Sequence, residues 1–486
     1  DLNLRIYCNT FTHNHANTPL YNPYGIVMEN PNNNFIKIKE FYGNTIDNSW
    51  GSAFIGAVPF SNDINYFHSN QVLGGNFAVN AVLNPNYPNF TTPSTASFCC
   101  VNEDANTNVS KIYLENPQAT NLPYNTYNNT TFYIKGPFDI DHDMTFNNCT
   151  FYFTSNGSMN LQGASILDLN ACTLQASCDY WQGIIADAPQ QKVILQNHSY
   201  IKKAGIGLHA SNGAVVDVTD SHFEDNFQYG IYLNNTTAPY AGIINNNTFT
   251  IQANLPTNPF PPIKAGIHLY DVAQLNIGDI GNANTGNHFE GLYTGIWVTN
   301  HDFNTASNIG IYNCSFKNIN NTSLTGNYIE SQKINNCYNS ARGAGIFAAY
   351  TGLPNLASRL IDVRNTNYAN ANLTFDHCDK GIVSKAIPVT AKKLYMTDCL
   401  LGMMNALTDG KGYDIQDNTI NNTFVGIQLL NDVGNSTLKN NTIDIDVTGI
   451  ANGLYTQIWP IGIDVKYYSN TNPKSLMIQG NPITLN

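Results

Sequence analysis

The sequence predicts an all-β solenoid, in which short strands form coils that stack on one another along a single axis. A Gly-Ile dipeptide recurs about every 20–25 residues, or at that interval plus an insertion. Each copy opens a short stretch of alternating apolar residues, which is the pattern of a strand with one buried face. The glycines of this motif are Gly183, Gly205, Gly230, Gly266, Gly295, Gly345, Gly381, Gly402 (followed by Met), Gly426 and Gly462.

A second motif lies ahead of each Gly-Ile and consists of a polar residue, often Asn, a small or polar pair, and a bulky apolar residue. Residues 148–151 (Asn-Cys-Thr-Phe) and 246–249 (Asn-Asn-Thr-Phe) are examples. A third alternating run precedes this motif, as at 215–218 (Val-Val-Asp-Val). Each unit therefore reads as a strand, an Asn-type corner, a short strand, a variable turn and a Gly-Ile strand.

Stacking is what makes such a unit stable. Three strands of a few residues cannot bury their apolar faces alone, but one unit placed on the next buries those faces and pairs the backbone along the axis. Asn and Gly suit the corners because they adopt left-handed backbone angles at low cost. We find no long i, i+3, i+4 apolar pattern with helix caps, so no helices are predicted.

The pattern resembles the right-handed parallel β-helix family, the pectate-lyase-like proteins, over residues 131–486. Its first coils contain residues 131–134, 144–151, 166–174 and the Trp-Gln-Gly-Ile step at 181–184. These segments are similar to the opening coils of β-helices in very large secreted repeat proteins of gliding-type bacteria, which use such modules in surface adhesins and filaments. The resemblance implies a bacterial module that is extracellular or attached to the cell surface.

We predict three regions along the chain. Residues 1–79 carry a weaker form of the motif and are interpreted as the final coils of a preceding β-helix module, and 80–130, rich in Pro, Asn and Thr, as an irregular linker. Residues 131–486 form the main β-helix. Because both ends of the chain resemble repeats, we expect it to be a segment of a longer protein. Insertions at 251–263 and 318–342 are predicted to emerge as loops along one edge of the solenoid.

Composition excludes some partners. Only 12% of the residues are charged and the net charge is −12, which argues against nucleic acid because phosphate backbones are bound by clustered Lys and Arg. No run of 18 apolar residues is present, so no membrane span is predicted. The acidity by itself is explained by solubility.

The ten cysteines allow two interpretations, disulfides or a buried ladder. Cys149 and Cys172 occupy the same motif position in consecutive units, as do Cys378 and Cys399. Each pair should therefore stack one coil apart, at about 4.8 Å between backbones. We favour free cysteines that fill the interior as small apolar side chains. Zinc is not predicted, because no Cys/His set has ligand spacing.

The residue after Gly-Ile defines a column that should point outward if the Ile points inward. The sequence places Ile185, Gly207, Tyr232, His268, Trp297, Phe347, Val383, Met404, Gln428 and Asp464 in this column. Its middle is aromatic or apolar, which is typical of an interface. We therefore predict binding residues at Tyr232, His268, Trp297, Phe347 and Met404. The occupant is another protein, a glycan, or the protein's own inserted loops or preceding module, and the sequence leaves these alternatives open.

Three carboxylates alternate at Asp139, Asp141 and Asp143, and are a candidate for a hard cation such as calcium. The other interpretation is a solvated edge of the first coil. No cofactor is predicted apart from this calcium candidate.

The function indicated is a non-catalytic structural or adhesive module of a large secreted or cell-surface protein. Its expected partners are itself or neighbouring modules, in a homo-oligomer or fibre, with surface glycans or another cell as further candidates. The alternative is a polysaccharide-binding or polysaccharide-cleaving β-helix of the lyase or hydrolase type. Hydrolysis needs two carboxylates at a defined separation, which the predicted column lacks, so no catalytic residues and no enzyme are predicted.

Overall fold

The structure is a computed structural model. It describes the backbone of eight strands between residues 2 and 73. From residue 110 onward it describes residues 110–115, 117–177, 180–239, 242–251, 265–301, 307–319, 340–351, 359–366, 375–406, 412–430, 436–445, 461–466 and 476–485.

From residue 110 the described chain folds as a right-handed parallel β-helix, which confirms the predicted fold class. Each coil contributes one strand to each of three parallel ladders, which we number 1, 2 and 3 in the order in which the chain visits them. The strand Ala265–Ile277 serves two ladders, because its first half pairs in ladder 3 and its last four residues pair in ladder 1.

The strands of each ladder pair in register from one coil to the next. Ladder 1 consists of Thr126–Asn128, Met144–Asn147, Ile166–Asn170, Lys192–Gln196, Val215–Thr219, Ile243–Asn245, the end of Ala265–Ile277, Ser307–Tyr312, Arg359–Arg364, Val389–Lys392, Asp414–Gln416, Ser436–Lys439 and Leu476–Gln479. Ladder 2 consists of Ser110–Glu115, Thr130–Lys135, Thr150–Phe153, Thr173–Ala176, Tyr200–Lys202, His222–Glu224, Thr248–Thr250, His288–Glu290, Ser315–Lys317, Phe375–Asp376, Tyr395–Thr397, Thr419–Thr423, Thr442–Ile445 and Ile483–Leu485. Ladder 3 consists of Pro137–Ile140, Ser158–Leu161, Gly183–Ala186, Ile206–Ser211, Tyr229–Pro239, the start of Ala265–Ile277, Thr294–Asn300, Ala344–Tyr350, Lys380–Lys385, Leu401–Ala406, Val425–Leu430 and Ile461–Lys466.

The N-terminal strands also form three parallel ladders, and among the described strands they pair only with one another. The first ladder contains Leu2–Tyr7, Ile36–Tyr42 and Phe67–His68; the second contains Thr10–Phe11, Thr45–Asp47 and Gln71–Leu73; the third contains Tyr24–Met28 and Ser52–Gly56. The main stack begins before residue 131, the boundary predicted from sequence, because Ser110–Glu115 already pairs with Thr130–Lys135.

Inside the solenoid, the glycine of the Gly-Ile motif packs against the bulky apolar residue that ends the Asn-type motif. The bulky residues of ladder 2 form a stack of phenylalanine rings, with 4.9 Å between Phe223 and Phe249 and 4.8 Å between Phe249 and Phe289. The motif glycines lie against these rings. A Cβ atom on Gly266 would come within 2.5 Å of the Phe289 ring and 2.9 Å of the Gly295 carbonyl oxygen. Only glycine leaves room for both contacts.

The corner between ladders 1 and 2 combines a left-handed residue with a buried polar residue. Asn246 has φ of 55°, and Asn247, which follows it, is 1% exposed. The Asn247 side-chain oxygen accepts the Ser221 backbone N–H at 2.9 Å, and its amide donates to the Val218 carbonyl oxygen at 2.9 Å. The same amide also donates to the Asn287 side-chain oxygen at 2.9 Å, which extends the chain of hydrogen bonds into the next coil. We call this stack of buried corner residues the asparagine ladder.

The five described cysteines are free and buried, as the ladder interpretation predicts. Cys149 and Cys172 occupy consecutive coils at the corner between ladders 1 and 2, since Thr150 pairs with Thr173. Cys378 and Cys399 stack in the same way at the corner between ladders 2 and 3. Burial raises the pKa of the Cys314 thiol to about 11, so this side chain stays protonated at neutral pH.

Helical structure among the described residues is limited to 3-10 turns at Ala119–Asn121 and Ala283–Thr285. No helix in the described part of the chain is long and apolar enough to cross a membrane. Most residues of the predicted loops at 251–263 and 318–342 lie outside the described ranges. Their flanking strands belong to ladder 2 on one side and ladder 3 on the other.

Candidate functional site

The outer face of ladder 3 carries the column predicted from sequence, and the strand register shows which residues share it. Asp139 pairs with Asn160, and Asn160 with Ile185, so the column starts two coils earlier than predicted. We call the following set the outer column: Asp139, Asn160, Ile185, His209, Tyr232, His268, Trp297, Phe347, Val383, Met404, Gln428 and Asp464.

The prediction that Gly207 belongs to this column is wrong; His209 takes its place. Ile185 pairs with His209, not with Gly207, because Gly207-Leu208 rather than Gly205-Ile206 takes the Gly-Ile position in that coil. A Cβ atom on Gly207 would lie 2.9 Å from the Phe223 ring, which is the contact made by the other motif glycines. Packing against the phenylalanine stack, and not the dipeptide alone, decides the register.

The expectation that the column is exposed is also corrected. Phe347 is 5% exposed, Met404 is 1% exposed and His268 is 7% exposed. Tyr232 and Trp297 are half-buried. The five predicted binding residues therefore share one column, as the sequence indicates, but they do not present an open apolar surface.

A second apolar cluster outside the solenoid accounts for part of this burial. Phe347, Val383 and Met404 pack there with side chains from the outer start of the ladder 3 strands and from the preceding corner. Trp297 and Leu430 lie at its margin. We call this the outer cluster: Ala341, Ala344, Phe347, Ala349, Val383, Leu401, Met404, Phe424 and Val425.

The aromatic part of the outer column is a continuous stack of rings. Ring centroids are 4.9 Å apart between His209 and Tyr232, 5.0 Å between Tyr232 and His268, and 4.6 Å between His268 and Trp297. Phe347 meets Trp297 edge-on at 6.2 Å. Because each ring covers the face of the next, the stack presents ring edges rather than faces to its surroundings. Ring faces are what sugars and planar ligands usually stack on.

His268 is held as a neutral imidazole within this stack. Burial lowers its pKa to about 3, because the charged form would lose its hydration. Its Nε2 atom lies 3.4 Å from the Thr299 hydroxyl, and its Nδ1 atom is buried without a hydrogen-bond partner. Burial likewise lowers the pKa of His209, against an opposing effect of Asp187.

Several other polar atoms beside the stack are buried without a hydrogen-bond partner. They are His209 Nε2, Trp297 Nε1 and Asn234 Oδ1. Such atoms cost free energy when they are left unpaired. The column therefore concentrates uncharged, unsatisfied polar groups at spacings close to that of the coils.

Carboxylates occupy only the two ends of the described outer column, at Asp139 and Asp464. They are separated by eleven rungs, which is roughly 50 Å at the usual strand spacing. Asp464 accepts a hydrogen bond from the Gln428 amide at 2.8 Å. Acid–base cleavage of a glycosidic bond needs two carboxyl groups less than about 10 Å apart, and these two cannot act together in that way.

The three aspartates proposed for calcium do not converge. The strand ends at Ile140, so Asp141 and Asp143 lie beyond it and do not share a strand face with Asp139. Asp139 accepts the Asn160 amide at 3.2 Å, Asp141 accepts the Thr120 backbone N–H at 3.1 Å, and Asp143 accepts the Ile166 backbone N–H at 2.8 Å. Each carboxylate thus stabilises a different piece of backbone or side chain of the first coils.

One other group of potential metal ligands was not anticipated from sequence. Within the described residues, Asp376, His377 and Asp398 are the one set of three whose ligand atoms lie within 4.8 Å of one another. His377 Nδ1 is 2.5 Å from Asp376, and its Nε2 is 3.9 Å from Asp398. His377 and Asp398 both have left-handed backbone angles at the corner between ladders 2 and 3, a signal that coil alignment could have given.

Comparison with known proteins adds no further constraint: no family model, no curated protein and no solved structure matches the chain.

Proposed function

We propose that this chain is a non-catalytic structural and adhesive module of a large secreted or cell-surface protein, which mediates self-assembly or attachment. The observation that supports this most strongly is the pairing of three parallel ladders along one axis through the main stack. A body built in this way transmits load along its axis through backbone hydrogen bonds in all three ladders at once. That property suits a stiff spacer between a cell and the surface or molecule to which the cell attaches.

Side-chain stacks along the same axis add to the stiffness. The asparagine ladder links coils through buried amides, as between Asn418 and Asn441 at 2.8 Å. On the outside, Asn147 donates to Asn128 at 2.9 Å and Asn170 donates to Asn147 at 3.0 Å. These bonds use few charged groups, so high salt should screen them little.

The acidic balance and the low charge content fit a partner that is neither nucleic acid nor a strongly charged surface. The net charge is −12. Ion pairs of the described solenoid join side chains on adjacent coils, such as Lys192 with Asp217 and Lys202 with Glu224. We therefore favour self or neighbouring modules as partners, at an extracellular or cell-surface location, with surface glycans or another cell as further candidates.

A polysaccharide-binding or polysaccharide-cleaving role is the second candidate, and one observation favours it. Unpaired polar atoms of His209, His268 and Trp297 lie along the axis on one face, where an extended sugar chain would offer hydrogen-bond partners. Against it, the ring faces of these residues are occupied by one another, and an occupant would have to displace what buries them.

The test is an adhesion measurement. Beads coated with the folded chain are mixed with identical beads, with beads coated with heat-unfolded chain, and with surfaces coated with polysaccharide. We expect clustering or attachment that needs the folded chain on the beads, and no release of reducing ends from any polysaccharide.

A positive result on polysaccharide would change the conclusion. Release of reducing ends, or a melting temperature raised by an oligosaccharide and not raised in a Trp297→Ala variant, would replace the structural role with the polysaccharide role. Absence of any folded-state adhesion would remove the adhesive part of the proposal.

A further inference from the structure

Two pairs of cysteines stack on adjacent coils, and the first pair lies at the corner between ladders 1 and 2. The strands before and after Cys149 and Cys172 pair in register, as Thr150 does with Thr173. The Cys149 carbonyl oxygen accepts the Thr173 backbone N–H at 2.9 Å, so the two corners are hydrogen-bonded to each other next to the cysteines. The two cysteines therefore occupy equivalent positions on neighbouring rungs.

The second pair has the same arrangement at the corner between ladders 2 and 3. The strands before and after Cys378 and Cys399 pair in register, as Lys380 does with Leu401. All four cysteine side chains are directed into the solenoid, and none is more than 2% exposed. Each pair is thus held inside the solenoid by ordered backbone on both sides.

The thiols of each pair interact directly. The hydrogen bond between the thiols of Cys149 and Cys172 raises the pKa of Cys172, and burial adds to this effect. Burial, together with a hydrogen bond to Cys399, raises the pKa of Cys378. Because the thiolate is the reactive form of cysteine, a buried and protonated pair reacts slowly with reagents in solution. Chemistry at these sulfurs therefore belongs to the stage of folding at which the corner is still open.

The backbone spacing suits a disulfide. Adjacent strands of a parallel ladder lie about 4.8 Å apart, and disulfides join cysteines whose Cα atoms are about 4.4–6.8 Å apart. The two Cβ atoms of a disulfide are about 3.8 Å apart, so the side chains of a stacked pair must lean toward each other by about 1 Å. Both pairs lie in corners, outside the bounds of the strands, where the backbone can make this adjustment.

Cys314 provides an internal comparison. It occupies the same corner column as Cys149 and Cys172 and is 2% exposed. The strand register places Asn287 beside it in the preceding coil and Thr366 beside it in the following coil. The Asn287 amide donates to the Cys314 sulfur at 3.8 Å. Cys314 therefore has the burial of the paired cysteines but no cysteine at the equivalent position of either adjacent coil.

We propose that Cys149 with Cys172, and Cys378 with Cys399, become joined as disulfides when the chain folds in contact with a disulfide oxidant such as oxidised glutathione. The thiolate of one cysteine attacks the oxidant, forms a mixed disulfide and releases one thiol. The second cysteine attacks the mixed disulfide, forms the S–S bond between the coils and releases the second thiol. Two cysteine sulfurs are oxidised, one disulfide of the oxidant is reduced, and the two cysteine protons leave on the released thiols.

Each of these bonds would tie one coil to the next. A disulfide stabilises a fold chiefly by restricting the unfolded chain, and here each closed loop is one complete coil. The coils could then not separate at that corner without breaking a covalent bond. The proposal rests on the proposed function for its oxidant, since disulfides form and persist outside the cell. It deepens that function by naming a covalent modification that strengthens the module along its axis.

The experiment compares the full chain made in two ways, by secretion into an oxidising compartment and in a reducing cytoplasm. Circular dichroism shows whether both products fold. Free thiols are blocked with iodoacetamide in denaturant, and mass spectrometry of chymotryptic peptides, with and without prior reduction, identifies the joined cysteines. The variants are Cys172→Ser and, as the matched control, Cys314→Ser. A serine already occupies this corner column at Ser199, where it is buried, so both substitutions suit the site.

In the secreted wild type we expect Cys149 joined to Cys172 and Cys378 joined to Cys399 in most of the molecules, while Cys314 carries the blocking group. The secreted chain should melt at a higher temperature than the cytoplasmic chain. This gain should persist in Cys314→Ser and become smaller in Cys172→Ser. A folded secreted chain whose four paired cysteines are blocked or joined to other partners would overturn the proposal, as would an equal gain in the two variants.

Bead adhesion tests the proposed function separately from this modification. Adhesion by a secreted chain whose four cysteines are free would keep the proposed function and overturn the cross-links. A cross-linked chain that does not adhere would support the cross-links and remove the adhesive part of the proposed function.

Discussion

From Gly207 onward, the glycine near the start of each ladder 3 strand is required by space and not by backbone angle. Among the motif glycines described, only Gly183 has a left-handed φ, of 114°. The others lie where a side chain would meet the ring or aliphatic side chain of ladder 2, as Gly266 does at Phe289. One atom added at such a position perturbs two coils, because the neighbouring backbone is equally close.

A Gly266→Ala variant tests this contact. We expect a loss of about 1–3 kcal/mol in the free energy of unfolding, the usual cost of overpacking a core. Denaturant unfolding measures it. Gly281→Ala is the control, because its nearest neighbour would be Asp279 at 3.4 Å, and it should change stability little. Equal effects of the two variants would show that the packing argument is wrong.

His268 makes stability depend on pH. Its pKa is about 3 in the folded protein against 6.5 in the unfolded chain, so the folded state favours the neutral ring. The stabilisation is complete above pH 6.5 and is lost as the pH falls from 6.5 toward 3. At about 1.4 kcal/mol per pH unit, the loss is about 2 kcal/mol at pH 5.

His268→Phe keeps an aromatic ring in the stack and removes the titration. We expect the difference in unfolding free energy between pH 7.5 and pH 5 to be smaller in this variant than in wild type by that amount. All other titrating groups, including His209, are common to both proteins and cancel. An identical pH dependence in the two proteins would contradict the assignment.

At the scale of the structural element, the corner between ladders 1 and 2 is a column that accepts several residue types. Cys172, Ser199, Asn247 and Leu394 all occupy it and are all buried. Asparagine differs from the others because its amide donates to both neighbouring coils, as Asn247 does to Val218 and Asn287, whereas Ser199 bonds only to the preceding coil and its own. The Leu394 backbone N–H donates to the Asn418 side-chain oxygen at 2.9 Å. An asparagine in the next coil therefore satisfies the backbone of a coil whose own corner residue is apolar.

Asn247→Ala should be far more costly than the same change on the outer face. It removes the acceptor of the Ser221 N–H and the donor to the Val218 carbonyl oxygen, both buried. We expect a loss of about 2–4 kcal/mol from these unsatisfied groups. Asn147→Ala, in the partly exposed outer amide stack, should cost about 0.5 kcal/mol or less. Chemical denaturation of the two variants gives the comparison.

The elements were largely predictable because alternation and corner chemistry are local properties. The Gly-Ile strands, the Asn-type corners and the stacked cysteines all follow from period-two patterns and left-handed residues. The local sequence did not show whether Gly205 or Gly207 occupies the motif position in its coil, because the two glycines are two residues apart. The contact of Gly207 with the Phe223 ring in a neighbouring coil distinguishes them. The outward direction of Phe347 and Met404 was predictable; their burial was not, because it depends on contacts across the outer cluster.

At the scale of the whole molecule, stability should be unequal along the axis. In a solenoid each coil contacts only its neighbours, so a coil with one neighbour is held less firmly than one with two. Among the described coils of the main stack, the one that contains Leu476–Gln479 and Ile483–Leu485 has the least buried core positions, since Ile478 and Ile483 are half exposed while their partners one coil earlier are fully buried.

Hydrogen exchange should therefore be graded along the stack. We expect backbone amides of residues 476–485 to exchange fastest among the described strands of the main stack. Amides of the interior strands Val215–Thr219 and Thr248–Thr250 should exchange slowest. Mass spectrometry of peptides from timed exchange measures the gradient. Uniform protection in dilute solution would contradict the nearest-neighbour account.

The contact between a motif glycine and a ladder 2 side chain has a consequence for how such a molecule changes over generations. The described coils from Gly207 onward carry both halves of the contact and offer them in the same places to the coils on either side. Duplication or loss of one complete unit in the gene would preserve every kind of contact, while a partial unit would not. The length of the solenoid along its axis is then set by the number of units, and each unit gained or lost changes it by about 4.8 Å.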